Sequence, residues 1–125
     1  MKIERFEFIE AWKLARVLTR KVYRLTKKTQ FAKDYGLKRH IQDAAGSTMH
    51  NIAEGFDSET NREFLQFLRY AKRSCTEVQS GLYVALDEEY IAPGEFEDVV
   101  EQARRTRVAV RGFINNLKRY EERKS

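Results

Sequence analysis

A single cysteine and a single proline in 125 residues exclude several designs at the outset. One thiol cannot build an internal disulfide framework or a four-cysteine zinc site. One proline and six glycines are too little punctuation for a turn-rich all-β chain. No stretch approaches the 18 consecutive apolar residues of a membrane span, so no membrane association is expected. The opening Met1-Lys2-Ile3-Glu4-Arg5-Phe6-Glu7 breaks its apolar positions with charge. A signal peptide is therefore not expected, and the expected location is the cytoplasm. What is present, 42% hydrophobic and 34% charged residues, favours a packed core over disorder. One domain over residues 1–125 is expected.

The net charge of +5 conceals a segregation along the chain. Residues 1–42 carry 12 basic and 4 acidic side chains, residues 43–103 carry 4 and 13, and residues 104–125 carry 8 and 2. Basic ends and an acidic middle bear on partners and association, not on fold. The same pattern also suits helices of opposite sign lying side by side within one fold.

Hydrophobic spacing is helical almost throughout. Phe8, Ala11, Trp12, Ala15, Leu18, Val22 and Leu25 stack on one face and predict a helix over 7–28. Thr29 to Gly36 has no period and reads as a connector. Leu37, Ile41, Ala44, Ala45, Thr48 and Ile52 predict a second helix over 37–54, stopping at Gly55 as a C-terminal glycine. Thr60-Asn61-Arg62-Glu63 matches a reciprocal capping box and opens a third helix over 60–88. Pro93 separates it from a fourth over 95–121, fraying through Glu121–Ser125. Four helices with short connections predict an all-α, antiparallel up-down-up-down four-helix bundle.

Catalytic and metal constellations are missing. Di-iron bundles need Glu-x-x-His on two helices, and neither His40 nor His50 has a glutamate three residues before it. His40 and Asp43 alone do not hold a metal. Cys75 sits mid-stripe in the third helix, where a thiol behaves as a small hydrophobe. Ser47 and Ser74 lack a strand-to-helix elbow, and no glycines form a phosphate cradle. The expectation is a non-enzyme with no metal and no cofactor.

The basic residues carry more. Lys13, Arg16, Arg20, Arg24 and Lys27 follow 3-4-4-3 spacing, a cationic stripe opposite the apolar face of the first helix. The fourth helix has a second row, Arg104, Arg107, Arg111 and Lys118. Such stripes match the footprint of phosphate-backbone binding, although a plain solvated face or a subunit interface has the same pattern. The two rows frame either one surface or two. No aromatic is interleaved with the stripe, so base stacking is not indicated. Leu65, Tyr83, Tyr70, Val84, Leu14, Val17 and Met49 fall off the core stripes and point to self-association.

Asn51-Ile52-Ala53-Glu54-Gly55, preceded by Gln42-Asp43-Ala44-Ala45-Gly46-Ser47, resembles the signature of the 23S rRNA intervening-sequence protein family. The likeness runs on through Glu63-Phe64-x-x-Phe67-Leu68, Ala71, Ser74 and Glu77, and includes Phe8-x-x-x-Trp12 and Tyr35-Gly36-Leu37. The resemblance implies a four-helix bundle assembling as a ring-like homopentamer, with no established catalytic residues. It also implies a fold similar to the accessory variability determinant of diversity-generating retroelements, a basic pentamer that binds reverse transcriptase and nucleic acid. Two departures bear on the entrance of the second helix: the preceding segment is short and has no proline, and Lys38 stands where the family often has a capping serine or threonine.

Within that motif Asn51 falls near the inward side of the second helix, and a buried amide needs partners. Glu54, Ser74 and Glu77 are expected to supply them, as a structural lock or as a ligand site. The expected function is a non-catalytic, oligomeric accessory protein that binds RNA or DNA backbone. The alternative is an interaction module whose charges serve self-assembly and a protein partner such as a reverse transcriptase.

Overall fold

The computed structural model describes residues 3–124. Met1 and Lys2 of the opening segment and Ser125 of the expected frayed tail lie outside them. The described residues form a 3-10 turn, Phe6–Phe8, and five helices: α1 Glu10–Leu25, α2 Thr29–Lys33, α3 Tyr35–Phe56, α4 Asn61–Asp87 and α5 Pro93–Lys124. They contain no strand. The molecule is an all-α helical bundle.

The first helix is shorter at both ends than its periodicity predicts. Ile9 is extended and buried, so the chain turns there, and Phe6 folds back edge-on to Trp12 at 5.1 Å. The aperiodic connector contains the extra helix α2, whose Phe31 is fully buried and stacks on Tyr90 at 5.5 Å. Two adjacent apolar residues in five, Phe31 and Ala32, show no helical period, which hides such a helix from pattern reading. Asp34 follows it and accepts from the Leu37 amide at 3.1 Å, capping α3 from position 34. The cap is thus supplied before Tyr35, and Lys38 has no capping duty.

Gly55 lies inside α3, not beyond its end. A Cβ there would sit 2.8 Å from Phe64 Cδ1 and 2.8 Å from Phe67 Cβ, so the glycine permits close helix approach. Its φ is not positive, so the C-terminal-glycine reading fails. Thr60 does cap α4, accepting from the Glu63 amide at 3.1 Å. The reciprocal half of the box is replaced, since Thr60 Oγ donates to Glu63 Oε1 at 3.1 Å. Glu89, at φ 60°, turns the chain after α4. Pro93 then opens α5, the first-turn position where its missing N–H is not needed. The helix continues to Lys124, past the expected fraying point.

Cross-helix contacts give the register. Gln102 Nε2 donates to Leu14 O at 3.0 Å, and Lys21 pairs with Asp98 at 2.8 Å. Thr19 Oγ donates to Ala45 O, and Gln42 Nε2 to Thr26 Oγ. Ser74 meets Ser47 at 3.0 Å, while Gly81 faces Ile41. Tyr83 packs on Phe96 at 4.9 Å and Phe64 on Phe113 at 5.4 Å. In each helix pair the numbers rise on one helix as they fall on the other. The core forms two clusters, one around Phe31, Leu82 and Val100 and one around Ile52, Leu68 and Ile114.

Candidate functional site

Helix α1 turns Ala11, Ala15, Leu18, Val22 and Leu25 into the core. At 100° per residue that places Lys13, Arg16, Arg20 and Arg24 on the far side, all exposed. Lys27, expected on the same stripe, lies in the turn after α1 ends at Leu25 and is exposed there. Among the described residues, no ion pair involves any of them. Lys21, nearer the α5 side, is the α1 cation drawn into a bridge, with Asp98. Arg16 lies 5.9 Å over the Trp12 ring. Trp12, Lys13, Arg16 and Arg20 line a shallow groove of about 410 Å³.

The α5 row opens elsewhere. Arg104, Arg111 and Lys118 are exposed and Arg107 is half-buried. Helix α5 meets α1 through Asp98 and Gln102, whereas Arg104 and Arg107 line a groove of about 610 Å³ whose other wall is Thr76, Gln79, Ser80 and Tyr83 of α4. The two rows therefore line different grooves, with Arg104 also bordering one that it shares with Leu14 of α1. Arg104 is held 3.6 Å from Glu101, and no ion pair involves Arg107, Arg111 or Lys118 among the described residues. Tyr83, 49% exposed, is an aromatic beside this row. Sequence spacing missed it as a neighbour of the arginines because it comes from another helix. Its off-stripe position was the available signal.

The expected polar lock is smaller and differently centred. Ser47, not among its expected members, is the hub: Asn51 Nδ2 donates to both Ser47 O and Ser47 Oγ at 2.8 Å, and Ser74 Oγ donates to Ser47 Oγ at 3.0 Å. Asn51 is half-buried rather than buried. Glu77 faces His40 at 3.9 Å with both side chains exposed. Glu54 is exposed and lines a groove with Phe6 and Asp57 at the start of the chain. Glu63 belongs to the α4 cap and Gly55 to the α3–α4 contact. The spacing 47/51 is one helical turn, which is the signal that pairs Ser47 with Asn51.

Cys75 is fully buried, with Thr48 Oγ 3.9 Å from its sulfur. Burial pushes the thiol up from its ordinary 9.0 to about 11. At neutral pH it stays protonated, unlike an activated nucleophile. Because folding favours the neutral thiol, its stabilisation is whole below pH 9 and is lost as pH rises to about 11. The loss amounts to about 3 kcal/mol. About 2 kcal/mol of it falls between pH 9 and about 11, so urea unfolding of the parent protein should weaken by that much over this range relative to Cys75→Ala. An unchanged difference between the two proteins would mean that the thiol titrates as an exposed one. At the α2 end, the hydrogen bond to Asp34 holds the Tyr90 phenol above its ordinary value. Among the described residues no three histidine, cysteine or carboxylate side chains gather as metal ligands.

The apolar surplus is redistributed. Leu65 and Met49 pack half-buried against the second core cluster. The exposed set is Phe8, Tyr23, Tyr35, Tyr70, Tyr83, Val84 and Val108. No described helix is long and apolar enough to cross a membrane.

A family model described as 23S rRNA-intervening sequence protein matches residues 7–112. No curated protein matches. Among solved structures, a protein of unknown function from the S23 ribosomal protein family of Bacteroides thetaiotaomicron superposes with a TM-score of 0.78 at 17% identity, covering 83% of this chain and 97% of that one. At that identity the likeness speaks to the helical fold.

Proposed function

The chain belongs to the 23S rRNA-intervening sequence protein family, and on that premise we propose that it is a non-catalytic accessory protein that binds nucleic-acid backbone. The supporting observation is the α1 row of four exposed cations with Lys27 in the turn beyond it, none of the five joined to a carboxylate among the described residues. Cations left free of intramolecular partners keep their field for an external polyanion. In this reading the bundle runs antiparallel, up-down-up-down, and self-associates into the ring-like pentamer that the family resemblance implies. A ring multiplies each row, so that weak contacts per subunit sum along one polyanion.

Binding of structured RNA and duplex DNA should fall steeply with salt and depend little on base sequence. Five phosphate contacts correspond to a loss of about 500-fold between about 50 and 200 mM salt. Arg16→Glu, Arg20→Glu and Arg24→Glu together should reduce affinity by at least about 100-fold while leaving the oligomer intact. The competing reading, an interaction module, draws on exposed Tyr35, Val84 and Val108. It is favoured if the parent protein shows no binding at ~100 mM salt, or if the triple change dissociates the assembly. Sedimentation at the monomer mass of 14.8 kDa at micromolar concentration removes the ring from both.

A further inference from the structure

We infer that the groove between α4 and α5 holds single-stranded nucleic acid, with a base stacked on Tyr83 and phosphates on Arg104 and Arg107. This rests on the nucleic-acid reading above and adds a second surface with a different selectivity. The α1 row borders a shallow groove of about 410 Å³ whose aromatic, Trp12, is already covered by Phe6 and Arg16. The α4–α5 groove is shallow, about 610 Å³, and combines charged, polar and aromatic groups in one place, with Val108 as its apolar edge. Arg104 and Arg107 supply guanidinium forks that match phosphate oxygens. Thr76, Gln79 and Ser80 supply hydroxyl and amide groups able to donate and accept. Tyr83 supplies an aromatic ring, 49% exposed, braced edge-on by Phe96 at 4.9 Å.

The electrostatics extend the groove along the bundle. Between residues 64 and 76 of α4 there are three cations and no carboxylate, and between 102 and 120 of α5 six cations and none. Glu77 and Glu101 bound these stretches, and a bound phosphate would replace Glu101, 3.6 Å away, on Arg104. The register of Tyr83 with Phe96 and Phe64 with Phe113 brings Lys72 alongside Arg107. From Arg104 to Lys118 the row covers about 21 Å of helix. A backbone can therefore track the groove while its bases reach the tyrosine.

The choice of single strands follows from access. A duplex buries its base faces, and the groove has no protruding helix or strand to enter a major groove. An unstacked base presents a π-face to any aromatic platform, and stacking of this kind tolerates sequence. Tyr83 is already held by Phe96, so little ordering is needed on binding.

The test is fluorescence anisotropy of the full chain with labelled oligoadenylate of about 12 nucleotides, as RNA and as DNA, against a duplex of equal length. Single strands should bind more tightly than duplex. Tyr83→Ala should weaken single-strand binding by about tenfold or more and leave duplex binding unchanged, while Tyr83→Phe stays near the parent. Because Tyr83→Ala also loses its Phe96 contact, Ser80→Glu provides a second probe: an exposed position, a new negative charge in the groove, and the same selective loss. Equal affinity for single strand and duplex, or a Tyr83→Ala and Ser80→Glu pair that binds single strands like the parent, overturns the inference while backbone binding stands. Loss of duplex binding on charge reversal of α1 tests the backbone reading separately. RNA and DNA of one sequence binding alike fits stacking and phosphate contacts; a preference for RNA adds a contact to the 2′-hydroxyl.

Discussion

Phe31→Ala is expected to destabilise the bundle by about 3–5 kcal/mol, read as a lower urea midpoint with unchanged slope. Helix α2 is five residues long, far below the length at which an isolated helix persists. It exists because Phe31 inserts into the first core cluster with Leu25 and stacks on Tyr90. Tyr90 in turn donates to Asp34 at 2.9 Å, and Asp34 caps α3. Removing the ring leaves a cavity at the end of the bundle and frees the segment that orients the cap. Tyr35→Ala is the control: its side chain is 76% exposed, so its change should stay within about 0.5 kcal/mol. A Phe31→Ala cost below about 1 kcal/mol would mean that α2 docks only loosely.

Gly55→Leu should be comparably severe, about 3 kcal/mol or more, because overpacking here has no room to relax. Even a bare Cβ meets Phe64 Cδ1 and Phe67 Cβ at 2.8 Å. The Phe67 atom is the root of its side chain and moves only with the α4 backbone, so α3 and α4 must separate. Gly46→Ala in the same helix has the opposite expectation. Its new Cβ finds only the His50 ring at 3.7 Å, ordinary contact. Helix propensity then dominates, and the change should stabilise by about 0.5–1 kcal/mol. Thermal unfolding of the two variants separates the explanations. If Gly55→Leu stabilises as Gly46→Ala does, intrinsic propensity governs Gly55 and the close-approach account fails.

Several features were legible in the sequence by local rules alone. The 3–4 spacing of Phe64, Leu68, Ala71, Cys75 and Val78 depends only on the 3.6-residue turn, and these residues are indeed buried along α4. Pro93, read as a break ahead of a helix at 95, is itself the first residue of α5, whereas Thr60 before Asn61 acts within one turn of itself, so its role followed from neighbours in the chain. The α1 row was legible for the same reason: a stripe opposite an apolar face needs no knowledge of the other helices.

The tertiary structure decided what depends on residues far apart in the chain. Helix α2 is stabilised by Tyr90, 59 positions beyond Phe31, a contact that no local period encodes. Gly55 looked like a helix stop because its real constraint, the approach of Phe64 and Phe67, lies on another helix. The polar set centres on Ser47 because the facing of α3 and α4 brings Ser74 to that hydroxyl and leaves Glu77 to His40. Tyr83 and Arg104 meet only because α4 and α5 lie side by side with opposed numbering. Periodicity states which face of each helix is buried; only packing states which neighbour covers its flanks, and grooves between helices are made of flanks.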